Sequence, residues 1–385
     1  MASGLWERPC CSEGDSGISA TKDNVDWDAV FALARNQAIS GLLAAGLESL
    51  HNAAGSIAEI SVEQKKALAR HIASVERLNT RMDGFLEKLY AYLLKEGLTP
   101  VLLKGQGLAQ CYQKPLHRES GDIDLLFNGD EYNRAKKLLA PRAQKVYAED
   151  TQDRHLLMVI NGLLLELHGS LHTHLTAKTD AVLDSVQEEM YRDHLFRTCT
   201  LKSAPSVPSG VSVGEVATEI LLPEPTRDVL YVFCHILQHL FNLGIGLKQV
   251  CDLARLLYSY RENLDVPYLE SRLREMGYLR NWKVLAAFLK EYLGTSPEYI
   301  PFYDSSRCYM RKARRLLEYI LYTGNMGKNR DVSYRKNSPY LVRKMKSMGM
   351  ILKNAVRLGR IFPWQAFKIA CKGMTEGVGD LKDGK

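Results

Sequence analysis

The chain has 385 residues, a length typical of two or three domains. Hydrophobic residues make up 46% of it and charged residues 25%, which excludes a disordered, collagen-like or disulfide-scaffold protein. The net charge of +7 is unevenly distributed: residues 301–385 carry 19 Lys and Arg against 6 Asp and Glu, whereas residues 1–300 carry 32 against 38. The basic character therefore belongs to the last part of the chain, and a surface of that sign attracts phosphates or an anionic partner.

The eight cysteines are scattered, with no CxxC pair and no zinc-type spacing. We therefore expect reduced, mostly buried thiols in a cytoplasmic protein. The N-terminus has no basic start followed by an apolar run, so the sequence predicts no secretory signal. The longest stretch without a formal charge, residues 229–247, contains histidines, glycines and amides, which favours a buried helix over a membrane span.

The first elements along the chain are helical. Residues 1–24 are rich in Gly and Ser and lack periodicity, which predicts a loose N-terminus. Apolar residues recur at helical spacing from Trp27 to about Leu50. A long amphipathic helix is predicted from about Ser61 to Glu96, where a glycine ends it. Together these elements form an N-terminal helical region over residues 25–95.

The pattern then changes from helical to extended. Four strands are predicted, at residues 99–103, 122–127, 155–160 and 163–168. Asn161-Gly162 joins the last two strands and is the strongest two-residue hairpin signal. A turn is predicted at 104–107, followed by helices at 108–112 and 131–139. We expect a small mixed α/β core over residues 96–200.

The remaining chain is predicted to be helical after a linker. Residues 201–225 are rich in Ser, Pro, Val and Glu and indicate a linker or an excursion over the surface. A C-terminal helical region is predicted over 226–300, and a basic helical tail over 301–385, with breaks near 294–297 and 324–339. The expected fold class is α+β, a small mixed-sheet core flanked by N-terminal and C-terminal helical regions.

Three acids carry the first part of a candidate site. Asp122 and Asp124 lie two residues apart on a predicted strand, so both carboxylates share one face while Ile123 points into the core. Two adjacent carboxylates are electrostatically costly unless a hard divalent ion, Mg²⁺ or Mn²⁺, offsets their charge. Glu166 interrupts an otherwise apolar strand and offers a third ligand, with His168 on the same face.

A turn with two glycines carries the second part. Gly105 and Gly107 follow the first predicted strand and precede a helix, which offers backbone N–H groups to an anion. Lys104 and Arg118 would supply charge-assisted contacts to phosphate oxygens. Neither the glycines nor the paired acids are specific alone, because plain turns and solvated strand edges show the same residues. Their combination, in this order, suits in-line displacement at phosphorus with two metal ions.

These motifs resemble the nucleotidyltransferase superfamily of DNA polymerase β, and most closely its bacterial family of uncharacterised nucleotidyltransferases. The matching positions are Leu103-Lys104-Gly105, Arg118, Asp122 to Leu126, Glu166-Leu167-His168, Trp27, Leu33, Ala34, Leu42, Leu43, His235, His239, Leu240, Leu247 and Asp252 to Leu257. The resemblance covers about residues 26–260. The chain departs from the superfamily at Gly105-Gln106-Gly107, where Gly-Ser is usual, and at Gly121, where Ser is common.

The resemblance implies a reaction and a set of residues. An acceptor oxygen would attack the α-phosphate of an NTP and release pyrophosphate, the acceptor being a small molecule, a sugar or a protein. Asp122 and Asp124 would bind two metal ions, and Glu166 would complete the site and act as general base. The expected nucleotide-binding residues are Lys104, Gly105, Gln106, Gly107, Arg118, His168, Lys248 and Asp252.

Two further functions stay open at this point. One is a catalytically silent nucleotide-binding or regulatory protein with the same fold. The other is a toxin–antitoxin-type component that transfers AMP to a protein. In the tail, the basic runs at 311–321 and 343–360 are either solvated helix faces or contacts to an anionic membrane or nucleic acid.

Other histidines and charges have structural interpretations. His172 and His174 are expected in a solvated loop, with a transition-metal site formed with His168 as the alternative. The pair His235 and His239, one helical turn apart, is expected to pack in an apolar helix. The charges of the helix over 247–260 are expected to be exposed by default.

Overall fold

Three helices precede the sheet in the computed structural model, which describes residues 5–6, 25–54, 60–201, 218–329, 349 and 352–367. They are α1 (Trp27–Asn36), α2 (Ser40–Ala54) and α3 (Val62–Lys95). The helical pattern over 27–50 thus corresponds to two helices, α1 and α2, with Ala38 between them at a φ of +54°. The long predicted helix is confirmed as α3, which begins after a Ser61–Gln64 capping box.

The strands form one mixed sheet. The described residues contain β1 (Val101–Leu103), β2 (Asp122–Leu126), β3 (Lys145–Val146), β4 (His155–Ile160), β5 (Leu163–His168), β6 (Phe196–Cys199) and β7 (Ile220–Pro223). Their order is β3-β4-β5-β2-β1-β7-β6. β2 is antiparallel to β1 and parallel to β5, and β1 is parallel to β7. The predicted α+β class and the four predicted strands are confirmed.

β6 and β7 were not predicted. β7 lies inside the segment 201–225 that the sequence indicated as a linker, and residues 202–217 of that segment lie outside the described residues. Both strands are short, and β7 ends a segment rich in Ser and Pro, which favoured a linker. β7 is held by long-range contacts instead, since Leu221 pairs with Val101 and its N–H donates to the Tyr90 hydroxyl at 2.9 Å.

The other helices frame the sheet. They are α4 (Gly105–Ala109), α5 (Glu131–Leu139), α6 (Ala177–Arg192), α7 (Pro225–Asn242), α8 (Leu247–Tyr260), α9 (Val266–Met276), α10 (Leu279–Leu293) and α11 (Arg307–Thr323). Most of the turn predicted at 104–107 forms the first part of α4. Helix α6 was not predicted. The predicted break near 294–297 follows the end of α10. In the part of the chain that the structure describes, no helix combines the length and the apolar character needed to cross a membrane.

The sheet separates two cores. On one face, Leu102 and Ile123 pack with side chains of α3 and α5. On the other face, Leu103 and Leu126 pack with α7 and α8. Side chains alternate along a strand, so Asp124 shares the face of Leu126 and points towards α7 and α8. The sheet thus presents its acids to the C-terminal helical region.

Residues near the N-terminus contribute to the second core. Leu5 and Trp6 fall in the segment 1–24 that the sequence predicts as loose, yet Leu5 is buried and the Trp6 indole donates to the Leu293 carbonyl. Arg255 holds them from α8, with Nη1 donating to the Leu5 carbonyl at 3.0 Å. The other residues of 1–24 lie outside the described residues.

The described cysteines are mostly buried. They are Cys111, Cys199, Cys234, Cys251 and Cys308, of which three are buried. The first basic run of the tail, 311–321, lies in α11, and part of the second lies in a helix over 352–359. Residues 343–348 and 350–351 of that second run lie outside the described residues.

Two helical glycines predict opposite effects on stability. A Cβ at Gly41 in α2 would overlap the backbone carbonyl of His117, whereas a Cβ at Gly84 in α3 would meet no atom within 4 Å. We expect Gly41→Ala to lower the free energy of unfolding by about 1–3 kcal/mol, because the segment carrying His117 must move. Gly84→Ala should raise it by about 0.5–1 kcal/mol through the lower entropy of the unfolded chain. Urea unfolding of both variants checks this, and equal effects would contradict the close approach at Gly41.

Candidate active site

The register of two parallel strands brings the three acids together. Asp124 on β2 pairs with Glu166 on β5, and Asp122 lies two residues earlier on the same face. One carboxylate oxygen from each of the three residues lies within 4.8 Å of the others. The adjacency of β2 and β5 could not be known from the sequence, which only placed an acid on each strand.

Asp124 is the most buried of the three acids, with 1% of its surface exposed. Its Oδ1 accepts from Lys104 Nζ and lies near His168 Nε2, both at 3.0 Å. Its Oδ2 is buried and has no hydrogen-bond partner among the residues that the structure describes. Burial alone would lower the pKa of Lys104, but the charges of Asp124, Tyr231, Asp122 and Glu166 together outweigh burial, so this pKa is raised and the ammonium stays charged. A buried, unpartnered carboxylate oxygen beside two further acids is suited to a cation.

The carboxylates repel one another. The pKa of Asp122 is raised, first by the charge of Asp124 and then by burial. A raised pKa means that the ionised form of Asp122 is destabilised in the fold. All three donors are carboxylate oxygens, which hard divalent ions prefer, so the residues present fit Mg²⁺ or Mn²⁺.

Two histidines hold Glu166. Its Oε2 lies 3.2 Å from His155 Nε2 and 3.5 Å from His168 Nε2. Burial raises the pKa of Glu166, but the hydrogen bonds from His155 and His168 outweigh it, and the pKa is lowered. The pKa of His168 is raised, because its contacts with Asp124 and Glu166 outweigh burial. Glu166 is therefore kept ionised in a fixed orientation.

Arg118 and Asp252 are paired with each other. Arg118 Nε and Nη2 donate to the two oxygens of Asp252 at 2.8 Å each, and both side chains are buried. Arg118 Nη1 also donates to the Gly105 carbonyl at 3.2 Å and to Ser120 Oγ at 2.9 Å. The charges of α8, expected to be exposed, are thus largely buried, and this pair joins α8 to the turn before α4.

The two remaining residues of the glycine turn lie away from the acids. The Gln106 side chain is buried and donates to Asp83 on α3. A Cβ at Gly107 would overlap Leu222 of β7, so packing against the sheet requires this glycine. Any nucleotide contact by Gln106 or Gly107 would have to come from the backbone.

Most of the predicted site residues border one cavity of about 480 Å³. These are Lys104, Gly105, Arg118, Asp122, Asp124, Glu166, His168, Lys248 and Asp252. Lys248 donates from Nζ to the Glu119 carbonyl at 3.0 Å. Burial, and then the charge of Arg118, lowers the pKa of Lys248. The tertiary structure therefore brings α8 to the acids of the sheet.

Sequence reasoning missed the contribution of α7. His235 and His239 line the same cavity, with their Nε2 atoms 2.9 Å apart and Lys104 Nζ 3.3 Å from His235. Burial and then Lys104 lower the pKa of both, that of His239 to about 4, so both rings are neutral at pH 7. The four-residue spacing of the two histidines was the signal in the sequence for a shared site. Their apolar neighbours instead favoured the interpretation that both pack inside a helix.

His172 and His174 also line the cavity; both lie in the predicted loop, where His174 is exposed as expected and His172 is half-buried. His172 lies between two carboxylates, with Nδ1 2.9 Å from Asp153 and Nε2 2.8 Å from Asp184. His174 forms an ion pair with Asp153.

Comparison with known proteins identifies the family. The model of a family described as uncharacterised nucleotidyltransferase matches residues 23–294, more than two thirds of the chain. The chain belongs to this nucleotidyltransferase family. Comparisons with curated proteins and with solved structures found no match. The matched region of this nucleotidyltransferase runs from α1 to the end of α10 and includes every residue of the cavity named above.

Proposed function

We propose that this nucleotidyltransferase transfers a nucleoside monophosphate from an NTP to an acceptor hydroxyl. The acceptor oxygen forms a bond to the α-phosphorus, the bond from that phosphorus to the bridging oxygen breaks, pyrophosphate leaves, and the hydroxyl proton is released. The observation that carries this proposal is the convergence of Asp122, Asp124 and Glu166 on one cavity. Acids on neighbouring strands of a mixed sheet also support a place in the polymerase β-like superfamily.

We propose Mg²⁺ or Mn²⁺ as the cofactor, held by Asp122, Asp124 and Glu166. Bound there, the ions would offset the negative charge of the phosphates and activate the acceptor hydroxyl. The lowered pKa of Glu166 favours a role as metal ligand over the expected role as general base, because a carboxylate with a lowered pKa takes up a proton weakly. His168 positions both Asp124 and Glu166.

For phosphate binding we propose Lys104, Gly105 and Lys248, which line the cavity. Lys104 already lies 3.0 Å from Asp124 and would be shared between that acid and a phosphate oxygen. Arg118 and Asp252 act by positioning, because their polar atoms are used in the contact between α8 and the turn.

The experiment that tests this function needs no known acceptor. Purified full-length protein is incubated with MgCl₂ and each of the four α-labelled NTPs, and NTP binding is measured by calorimetry with and without Mg²⁺. We expect Mg²⁺-dependent binding and release or transfer of label for at least one NTP. Label on a macromolecule would indicate a protein acceptor. Absence of both Mg²⁺-dependent binding and label turnover would contradict the proposal and favour a silent protein.

We also propose that the basic tail contacts an anionic partner. Leu352, Val356, Trp364 and Phe367 are exposed apolar side chains in the last described helices. They lie in a segment with a net positive charge, which supports combined apolar and ionic contacts to a membrane or a nucleic acid.

A further inference from the structure

A second group of possible ligands borders the cavity, separate from the three acids of the candidate active site. One ligand atom from each of Asp150, Asp153 and His174 lies within 4.8 Å of the other two. All three line the cavity. Asp150 and Asp153 belong to the turn before β4, and His174 to the loop after β5, where its φ is +55°.

Asp153 is the buried member of this group, with 7% of its surface exposed. Within the described part of the chain, its Oδ2 accepts no hydrogen bond, although His174 Nε2 forms an ion pair with it. A carboxylate oxygen removed from water in this way is costly unless a cation stabilises it. His174 supplies that charge only when it is protonated, whereas a metal ion would supply it at any pH at which the imidazole is neutral.

Hydrogen bonding to His172 fixes the other carboxylate oxygen of Asp153, Oδ1. His172 Nδ1 lies 2.9 Å from Asp153 Oδ1, and its Nε2 lies 2.8 Å from Asp184 Oδ1. Ser170 Oγ donates to the Asp153 backbone carbonyl at 2.8 Å. Such carboxylate–histidine–carboxylate chains orient the ligands of metal sites. This series of hydrogen bonds occupies Oδ1 of Asp153. The second oxygen, Oδ2, is therefore the one available to an ion shared with Asp150 and His174.

The charge of the cavity adds a second argument. Its lining includes six carboxylates against the three basic side chains of Lys104, Arg118 and Lys248. The six are Asp122, Asp124, Asp150, Asp153, Glu166 and Asp252. A triphosphate would add further negative charge, and ions at the three acids of the active site would leave only His172 and His174 to offset the charge of Asp150 and Asp153.

We propose that Asp150, Asp153 and His174 form a second metal site that binds a zinc-class divalent ion. The mixture of one imidazole and two carboxylates favours Zn²⁺ over Mg²⁺, which prefers oxygen ligands alone. Three protein ligands leave one coordination position open, as in zinc sites that bind an external ligand. Since all three residues line the cavity, that position faces the space where substrate would enter.

Cobalt titration of the full-length protein tests the proposal. After dialysis against a chelator, Co²⁺ is added as the visible probe and Zn²⁺ is used to displace it, with calorimetry for affinity. We expect one tightly bound equivalent at this site, separate from any ion at the three acids of the active site, both in the wild type and in Asp122→Asn/Asp124→Asn. We expect at least a 100-fold loss of affinity in Asp153→Asn/His174→Gln. Asp184→Asn should weaken binding by about 10- to 100-fold, because it frees His172.

The controls separate this site from others. His194→Gln removes an exposed histidine and should bind as the wild type does. Unchanged affinity in Asp153→Asn/His174→Gln would overturn the proposal, as would loss of binding in His155→Gln, which would place the ion at His155, Glu166 and His168. Circular dichroism checks folding, and the single variant His174→Gln replaces the double one if the latter unfolds. No nucleotide is present, so this result is independent of the proposed transfer reaction.

Discussion

Replacement of Asp122 and Asp124 by asparagine is expected to reduce Mg²⁺-dependent label turnover by about 10³-fold or more, because bound ions supply several kcal/mol of transition-state stabilisation. The same change should abolish the Mg²⁺ dependence of NTP binding in calorimetry. Asparagine keeps the shape of both side chains, and its oxygen can still accept from Lys104 and His168. The loss would therefore report the missing charge and not a collapsed site.

Measurements of stability distinguish a loss of metal binding from general damage to the fold. Asp124 raises the pKa of Asp122, so the ionised form of Asp122 is unfavourable in the fold without a cation. The single variant Asp122→Asn should therefore be more stable than the wild type in chelator, while Mg²⁺ should stabilise only the wild type. Asp130→Asn is the matched control. Asp130 is an exposed acid shortly after β2, and its side chain makes no capping hydrogen bond to α5. Unchanged turnover in the double variant would contradict the metal assignment.

Asp252→Asn is expected to lower the free energy of unfolding by about 3–5 kcal/mol, because it leaves the buried Arg118 guanidinium without its counter-charge. The pair is bidentate and buried, so solvent does not replace the lost partner. The double variant Arg118→Met/Asp252→Leu should recover most of this loss, since no unpaired charge remains. Urea unfolding measures both effects.

The double variant also tests how the pair acts. If Arg118 acts by positioning, NTP affinity in Arg118→Met/Asp252→Leu should stay within tenfold of the wild type. Recovered stability with lost NTP binding would instead show a direct phosphate contact, as the sequence predicted. The exposed bidentate pair of Arg192 and Asp193 is the control, and Asp193→Asn should leave stability unchanged. Wild-type stability in Asp252→Asn would contradict the role of the buried pair.

The local pattern was sufficient for much of the sheet and for its acids. Alternation along β2 placed Asp122 and Asp124 on one face, and the Asn161-Gly162 turn placed β4 beside β5. It failed for β7, because this short strand ends a segment rich in Ser and Pro and is held by pairing with β1. The family resemblance implied that Gln106 and Gly107 bind the nucleotide, whereas in the structure Gln106 donates to Asp83 and Gly107 packs against Leu222.

By itself, the sequence determined the fold class, the three acids and the glycine turn, because each depends on residues near one another in the chain. Only the tertiary structure decided which strands are neighbours, and hence that Asp124 lies opposite Glu166. It also decided that α7 and α8 cover the acids with His235, His239 and Lys248. Those contacts join residues more than 40 positions apart. The free energy that selects them comes from burial of the whole core, which a local sequence pattern does not reveal.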